Sequence, residues 1–185
     1  MADHHQRFIV ISGGPGSGKS TLIDALERQG FARTVEAGRA IIQDQVAIGG
    51  TALPWDDRAL FAELMLSWEM RSHAMAQGYE RPVFFDRGVP DVIGYLTLCG
   101  LPVPPHMETA AQRIRYNETV FLAPPWPDIF AQDAERKQDF DEAMRTFEAM
   151  EQTYRRIGYE IALLPKASVE ERMCFIREKL PSVFL

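Results

Sequence analysis

The stretch VISGGPGSGKST, from Val10 to Thr21, decides the fold of this 185-residue chain. Residues 13–20 read G-G-P-G-S-G-K-S and fit the pattern G-x-x-x-x-G-K-[ST]. A loop of this kind turns several backbone N–H groups into one small concavity, and its glycines tolerate the positive φ angles that so tight a turn needs. The sequence therefore predicts a loop that holds phosphate groups.

Each part of this loop has an expected partner on a nucleotide. Lys19 brings a positive charge to the β- and γ-phosphates, and Ser20 offers a hydroxyl group to Mg²⁺. The helix that follows directs its N-terminus, with a partial positive charge, at the same anion. We therefore predict that ATP and Mg²⁺ bind here, through nine consecutive residues: Gly13, Gly14, Pro15, Gly16, Ser17, Gly18, Lys19, Ser20 and Thr21.

The residues on either side of the loop support this interpretation. Residues 8–11 form a continuous apolar run, which is typical of a strand buried on both faces. After the loop, Leu22, Ile23 and Leu26 share one face of a helix that Gly30 can end. Strand, glycine loop and helix follow in the required order, which favours a phosphate site over a glycine-rich turn that binds nothing.

Further apolar runs predict four more strands, which alternate with helical patterns. Because short apolar strands alternate with helices, we predict a three-layer α/β/α fold with a five-stranded parallel sheet. We expect a single domain over residues 1–185, with a lid segment at about residues 126–145. The predicted strands are residues 31–35, 83–86, 119–123 and 159–164, and the predicted helices are residues 38–47, 56–77, 90–99, 107–116, 139–157 and one that begins after Ser168.

The longest predicted helix carries a recurrent apolar pattern. Asp56 is expected to cap it. Its apolar residues recur at helical spacing and predict a buried stripe. The members of this stripe are Leu60, Phe61, Leu64, Met65, Trp68 and Met75.

The composition limits the classes of function. The chain is 46% hydrophobic and 25% charged, and its net charge is −6. That charge argues against a nucleic-acid partner or an anionic membrane surface. The polar start, residues 1–7, and the absence of a long apolar run predict a cytoplasmic protein. Cys99 and Cys174 fit no metal spacing and are expected to be buried thiols. The sequence leaves the oligomeric state open, with a homodimer as one alternative.

Polar side chains follow the predicted strands where each strand ends, which is where parallel sheets of this kind bind ligands. Asp86 ends an apolar run and is the candidate for the Mg²⁺-linked acid, or alternatively a helix cap for the turn at Gly88. Glu36 follows the second strand and is either a carboxylate that accepts the proton of a substrate hydroxyl or a surface glutamate. Arg87 can clamp a substrate oxygen or pair with Glu36.

The segment 132–139 is highly charged and has two interpretations. One is a solvated helix face. The other is a mobile lid whose arginine closes on the transferring phosphoryl group. Arg136 and, nearly three helical turns further on, Arg145 are the candidate arginines.

Five sequence motifs, in this order, resemble a known family: GGPGSGKS, VEAGR, FFDRG, DAER and GYEIALLP with SVEER. The chain resembles the small bacterial predicted ATPases grouped with AAA-type domains, which are similar to P-loop nucleoside and nucleotide kinases. The resemblance covers nearly the whole chain. DRG stands where deoxynucleoside kinases carry ERS or DRS, and EAG stands where they carry EP, so the substrate is not defined by these motifs.

The resemblance also implies roles for individual residues. Glu36 matches the acid that contacts the substrate hydroxyl, Asp86 and Arg87 match the kinase acid–arginine pair, and Arg136 matches a lid arginine. Residues 165–168 match a loop near the adenine, and we count Arg39 with Glu36 and Arg87 as a candidate substrate residue. A kinase acting on a small molecule such as a nucleoside or nucleotide is the first hypothesis. The alternatives are an ATPase that acts as a switch and a nucleotide-binding module without catalysis.

Overall fold

The fold is built on a strand that comes directly before the phosphate loop. The computed structural model describes residues 4–130 and 139–184. Its strands are β1 (Phe8–Gly13), β2 (Ala32–Arg33), β3 (Val83–Asp86), β4 (Thr119–Ala123) and β5 (Glu160–Leu163). Its α-helices are α1 (Lys19–Arg28), α2 (Ala37–Ile48), α3 (Arg58–Ala76), α4 (Val89–Leu98), α5 (Pro105–Arg113), α6 (Phe140–Ile157) and α7 (Val169–Lys179). Short 3₁₀ helices cover His4–Arg7, Pro127–Ile129 and Pro181–Val183.

All five strands run parallel in the order β2-β3-β1-β4-β5. The central strand β1 pairs with β3 on one side and with β4 on the other, and every one of its residues is buried. Its register against β3 brings Asp86 level with Ile11, two residues before the phosphate loop begins. The order of the strands therefore carries the end of β3 directly to the loop.

Helices cover both faces of the sheet. On one face, Ile9 and Ile11 of β1 pack with Leu22 of α1 and Ile176 of α7. On the other face, Phe8 and Val10 pack in a second core with residues of α6, among them Tyr154. Alternate residues of β1 thus serve two cores, as expected for a strand covered on both sides. The predicted three-layer α/β/α fold with a five-stranded parallel sheet is confirmed.

Several predictions about single residues are wrong. Asp57, and not Asp56, caps α3, because its carboxylate accepts the backbone N–H of Leu60 at 2.9 Å. In the predicted stripe, Leu60 and Met75 are exposed, and Trp68 is only half-buried. The same helix buries a carboxyl group, that of Glu69, which the predicted apolar stripe did not include.

The cysteines differ from the expectation as well. Cys174 is exposed on α7, and Cys99 is half-buried at the end of α4. Cys174 lies outside the buried stripe of α7, which is centred on Ile176. Both side chains are free thiols. Within the two described ranges, no helix combines the length and the apolarity that passage through a membrane requires.

Two glycines at the end of β1 let the backbone come into close contact with its neighbours. A Cβ atom on Gly13 would stand 2.4 Å from the carbonyl oxygen of Ala123 on β4, and Gly13 has a φ of 130°. A Cβ atom on Gly14 would stand 2.4 Å from the carbonyl oxygen of Ala143 on α6. The backbone at the start of the loop therefore lies so close to β4 and α6 that a residue with a Cβ atom would collide with them.

We expect the substitution Gly13→Ala to destabilise the protein more than Gly100→Ala does. Gly100 also has a positive φ, 67°, but nothing lies within 4 Å of a Cβ atom there. Gly100→Ala should cost roughly the 1–2 kcal/mol of a left-handed backbone. Gly13→Ala should cost about 1–3 kcal/mol more, because the added methyl group overpacks against the β4 backbone. Urea unfolding of both variants measures the difference, and equal midpoints would contradict this account of Gly13.

Candidate active site

The phosphate loop connects β1 to α1 through a run of unusual backbone angles. Gly16 and Gly18 both have φ values in the left-handed region, at 66° and 78°. Gly18 is the N-cap of α1 and has no side chain that could accept a hydrogen bond from the helix. The first backbone N–H groups of α1 are therefore available to another acceptor. The predicted loop is therefore present, with the helix N-terminus that an anion requires.

The side chain of Lys19 lies within the loop. Lys19 is 6% exposed, and its ammonium group donates to the carbonyl oxygen of Gly14 at 2.6 Å and to Ser17 Oγ at 3.4 Å. Ser17 Oγ donates to the same carbonyl at 2.8 Å. These contacts hold a positive charge beside the concavity formed by the loop backbone. Ser20 and Thr21 follow on the first turn of α1, and both are exposed.

Arg172 on α7 connects the phosphate loop to the segment that follows β5, the edge strand of the sheet. The sequence did not predict this role. Its guanidinium donates to the carbonyl oxygen of Ser17 at 2.9 Å and to that of Pro165 at 2.8 Å. It also lies 5.0 Å from the ring centre of Trp126. Only 2% of this residue is exposed, and its remaining Nη2 group has no hydrogen-bond partner among the described residues. Burial lowers the pKa of Arg172.

The residues after β3 and β2 meet beside the loop. Asp86 is buried at the end of β3, and its backbone N–H donates to Thr34 Oγ1 at 3.1 Å. Arg87 follows with a φ of 74°, the one positive value outside glycine in residues 4–130 and 139–184. Its backbone N–H donates to the carbonyl oxygen of Ile11 at 3.1 Å, and its Nε donates to Glu36 Oε1 at 3.1 Å. The predicted pairing of Arg87 with Glu36 is therefore present.

Asp91 in the first turn of α4 is a second residue that sequence reasoning did not single out. Its carboxylate accepts hydrogen bonds from the Ser12 hydroxyl, from the Gly88 backbone N–H at 2.9 Å and from the Tyr154 hydroxyl at 2.5 Å. Arg87 Nη1 donates to it as well, at 3.2 Å. Asp91, and not Asp86, thus caps the turn at Gly88. One buried carboxylate links β1, the turn after β3, α4 and α6.

The guanidinium of Arg87 stays charged although it is largely buried. Burial by itself lowers the pKa of Arg87. The carboxylates of Glu36, Asp91 and Asp86 outweigh that effect and raise the pKa of this guanidinium above its ordinary value.

Two cavities meet at these residues. The loop cleft, of about 620 Å³, is bounded by the phosphate loop, Trp126, Phe130 and the segment from Ala167 to Arg172. The side cavity, of about 1160 Å³, lies between α2, α3, α4 and α6, and Trp55 and Phe61 are in its wall. Pro15 and Glu36 line both spaces. Among the described residues, the two cavities therefore adjoin at Pro15 and Glu36.

The remaining candidate residues are distributed over both cavities. Arg39 is exposed on α2 and lines the loop cleft. Arg145 is exposed on α6 and lines the side cavity. Arg136 lies outside the described residues, as does most of the predicted charged segment, so its role on a phosphoryl group stays a prediction. The adenine-side loop implied by the resemblance contributes Ala167 and Ser168 to the loop cleft.

The family of the chain follows from a comparison with family models. The model described as AAA domain (AAA_28) matches residues 8–172, which extend from β1 to Arg172. The chain belongs to this family. The predicted resemblance to AAA-type P-loop ATPases is confirmed. No curated protein matches this AAA domain protein at a significant level.

Solved structures of two kinases and of NadR protein have the same fold. Deoxyadenosine kinase from M. mycoides, with the products dCMP and a flexible dCDP bound, has a TM-score of 0.68 at 14% identity, over 95% of this chain and 99% of that chain. NadR protein in complex with NR gives 0.73 at 16% identity, over 98% and 52%. Thymidylate kinase from Ehrlichia chaffeensis gives 0.65 at 14% identity, over 95% and 98%. These likenesses show the fold, and a P-loop domain of the AAA type is consistent with a phosphotransferase or an ATPase.

We expect Arg172→Met to weaken ADP binding and to destabilise the protein. The substitution removes two charged hydrogen bonds that join the phosphate loop to the segment after β5. The free energy of unfolding should fall by about 1–3 kcal/mol, and ADP affinity should fall about tenfold as the loop loses its support. Calorimetric ADP titration and thermal unfolding measure the two effects.

Arg177→Met is the matched control for this experiment. Arg177 is an exposed arginine on the same helix, and its guanidinium lies over Phe184, away from the loop. Its removal should leave ADP affinity unchanged. If Arg172→Met binds ADP as tightly as Arg177→Met, then Arg172 does not support the nucleotide site.

Proposed function

We propose that this AAA domain protein is a kinase that transfers the γ-phosphoryl group of ATP to a hydroxyl group of a small molecule such as a nucleoside or nucleotide. The observation that carries the proposal is the wall shared by two cavities, where Glu36 faces both the loop cleft and the side cavity. Hydrolysis of ATP requires the loop cleft alone. A second space of about 1160 Å³ that opens at the same carboxylate is what transfer to an organic acceptor requires.

The fold comparisons support the class of acceptor. The structural neighbours are a deoxyadenosine kinase, a thymidylate kinase and a protein bound to NR. In the proposal, the loop cleft takes ATP, with its phosphates on the backbone N–H groups of the phosphate loop and on Lys19. The side cavity takes the acceptor, with Glu36 and Arg87 at its inner end. Arg39 and the lid residue Arg136 are proposed to contact the bound molecules from the outside.

The residues beside the loop fit a magnesium ion. Mg²⁺ is usually held by one or two carboxylates together with substrate phosphates and water. Asp86 is a buried carboxylate level with Ile11 of β1, and Ser20 is an exposed hydroxyl at the start of α1. These two residues would hold the ion. Such an ion would supply positive charge against the negative charge that develops on the transferring phosphoryl group.

Glu36 is proposed to act as the general base. Its ion pair with Arg87 at 3.1 Å stabilises the carboxylate form, which can accept a proton. In the reaction, Glu36 takes the proton of the acceptor hydroxyl while the acceptor oxygen forms its bond to phosphorus. The bond between phosphorus and the ADP oxygen breaks in the same displacement. Lys19 remains beside the phosphates and offsets their charge.

The substitution Glu36→Gln should separate transfer from nucleotide binding. Glutamine keeps a hydrogen-bond acceptor for Arg87 but cannot take a proton. We expect phosphoryl transfer to the best acceptor to fall roughly a hundredfold or more, which is the usual effect of a lost general base. ATP affinity should change little, because the phosphate loop is intact. Steady-state turnover with a library of nucleosides, nucleotides and other metabolites, beside ATP titration, measures both quantities.

Lys19→Ala is the comparison variant for nucleotide binding. It should lose most of the affinity for Mg-ATP, and with it the thermal stabilisation that a ligand of the folded state confers. A different pattern would favour an ATPase switch over a kinase. That pattern is ATP consumption that no acceptor accelerates, together with wild-type hydrolysis in Glu36→Gln.

A further inference from the structure

Glu69 is a buried acidic residue in the wall of the side cavity. It lies in the fourth turn of α3, where only 3% of its surface is exposed. Phe61 and Met65 of the same helix line the cavity with it, and Tyr95 of α4 and Met150 of α6 contribute further apolar walls. The remainder of α3 buries apolar residues against α2 and α4. A carboxyl group at this position is not required for the packing of the helix.

The other acids around the side cavity have partners. Glu36 pairs with Arg87, and Asp91 accepts four hydrogen bonds. Glu69 makes no hydrogen bond or ion pair with the described residues. A buried polar group without a partner is costly, and an apolar residue of similar size would remove that cost. The carboxyl group of Glu69 is therefore an unused donor or acceptor on the wall of a cavity.

The surroundings of Glu69 favour its neutral form. Burial raises the pKa of Glu69 well above its ordinary value, and the carboxylates of Asp91 and Asp86 raise it further. Arg87 acts in the opposite direction but does not cancel these effects. A neutral carboxyl group presents an O–H donor beside a carbonyl acceptor, as an amide does. It pairs with a group that has an acceptor and a donor side by side.

We propose that Glu69 is a specificity-determining residue that pairs with a flat head group of the acceptor, at an edge with a hydrogen-bond donor next to an acceptor. Carboxamides, lactams and ring nitrogens beside an amino group share this edge. The inference rests on the proposed function, because it names the class of molecule that the side cavity would present to Glu36. Aromatic and thioether side chains in the wall of the side cavity suit a flat ring. A phosphate or carboxylate at this end of the acceptor would meet a cluster of acids.

Binding of matched ribosides to the full chain tests the proposal, in the presence of ADP and Mg²⁺ so that no transfer takes place. The pairs are adenosine with purine riboside, which lacks the amino group, and nicotinamide riboside with the riboside of unsubstituted pyridine. In at least one pair, the compound with the complete edge should bind the wild type about 10-fold to 100-fold more tightly in a calorimetric titration. Equal affinities within both pairs, or no binding by any of the four compounds, would overturn the proposal.

Two substitutions of Glu69 then distinguish pairing from packing. Glu69→Gln retains a donor beside an acceptor and should keep the preference within about threefold. Glu69→Leu should abolish the preference and raise the melting temperature of the ligand-free protein, because an unpartnered buried carboxyl group is gone. Loss of the preference in both variants, or its survival in Glu69→Leu, would refute the pairing. Glu63→Leu removes an exposed acid of the same helix and should leave the preference intact.

The outcome is separable from that of the proposed function. If the riboside preference depends on Glu69 but no acceptor receives a phosphoryl group, the kinase proposal fails and the specificity inference stands. If transfer occurs and Glu69→Leu does not change the choice of acceptor, the specificity inference fails and the kinase proposal stands.

Discussion

The ion pairs of Arg87 are the interaction on which the arrangement of this site depends. The guanidinium bridges Glu36, at the end of β2, and Asp91, in the first turn of α4. The backbone of Arg87 has a φ of 74°, a conformation that costs of order 1–2 kcal/mol for a residue with a side chain. Strain of this kind persists where the surrounding structure determines it and is concentrated at functional positions.

Asp91 extends the same network to the rest of the fold. Through the hydroxyl groups of Ser12 and Tyr154, its carboxylate joins β1 and α6 to the turn after β3. The close contacts of Gly13 with β4 and of Gly14 with α6 fix the start of the phosphate loop in the same region. The loop cleft and the side cavity consequently share one rigid corner. In the proposed kinase, this corner aligns the phosphates of one molecule with the hydroxyl group of another.

Local signals in the sequence were sufficient for the fold and for the loop. The glycine pattern predicted the loop, apolar runs predicted five parallel strands, and the last helix begins directly after Ser168 as expected. The pairing of Arg87 with Glu36 was one of two predicted alternatives. These features depend on residues close in sequence or on the rule that ligands bind at the carboxyl ends of parallel strands.

The residues that were missed depend on long-range packing. Asp91 resembles an ordinary first-turn aspartate, and its partner Tyr154 lies 63 positions away. Arg172 lies in the charged sequence VEERM, and its burial results from the contact between α7 and the loop 155 positions earlier. Glu69 is a single acidic residue among the apolar residues of α3. The residue pattern of one helix does not indicate which of its faces other helices will cover. No local signal could therefore distinguish these three buried residues from charged residues exposed to solvent.

The central claim is that the γ-phosphoryl group passes from ATP in the loop cleft to an acceptor in the side cavity, beside Glu36. The fate of this phosphoryl group tests the claim. The measurement is mass spectrometry of the products formed from ATP whose γ-phosphoryl oxygens carry ¹⁸O, with nucleosides and nucleotides supplied as acceptors. The account predicts a labelled organic phosphate whose amount equals the ADP formed. If all of the label appears in inorganic phosphate with every acceptor, the side cavity does not receive the phosphoryl group and the account is wrong.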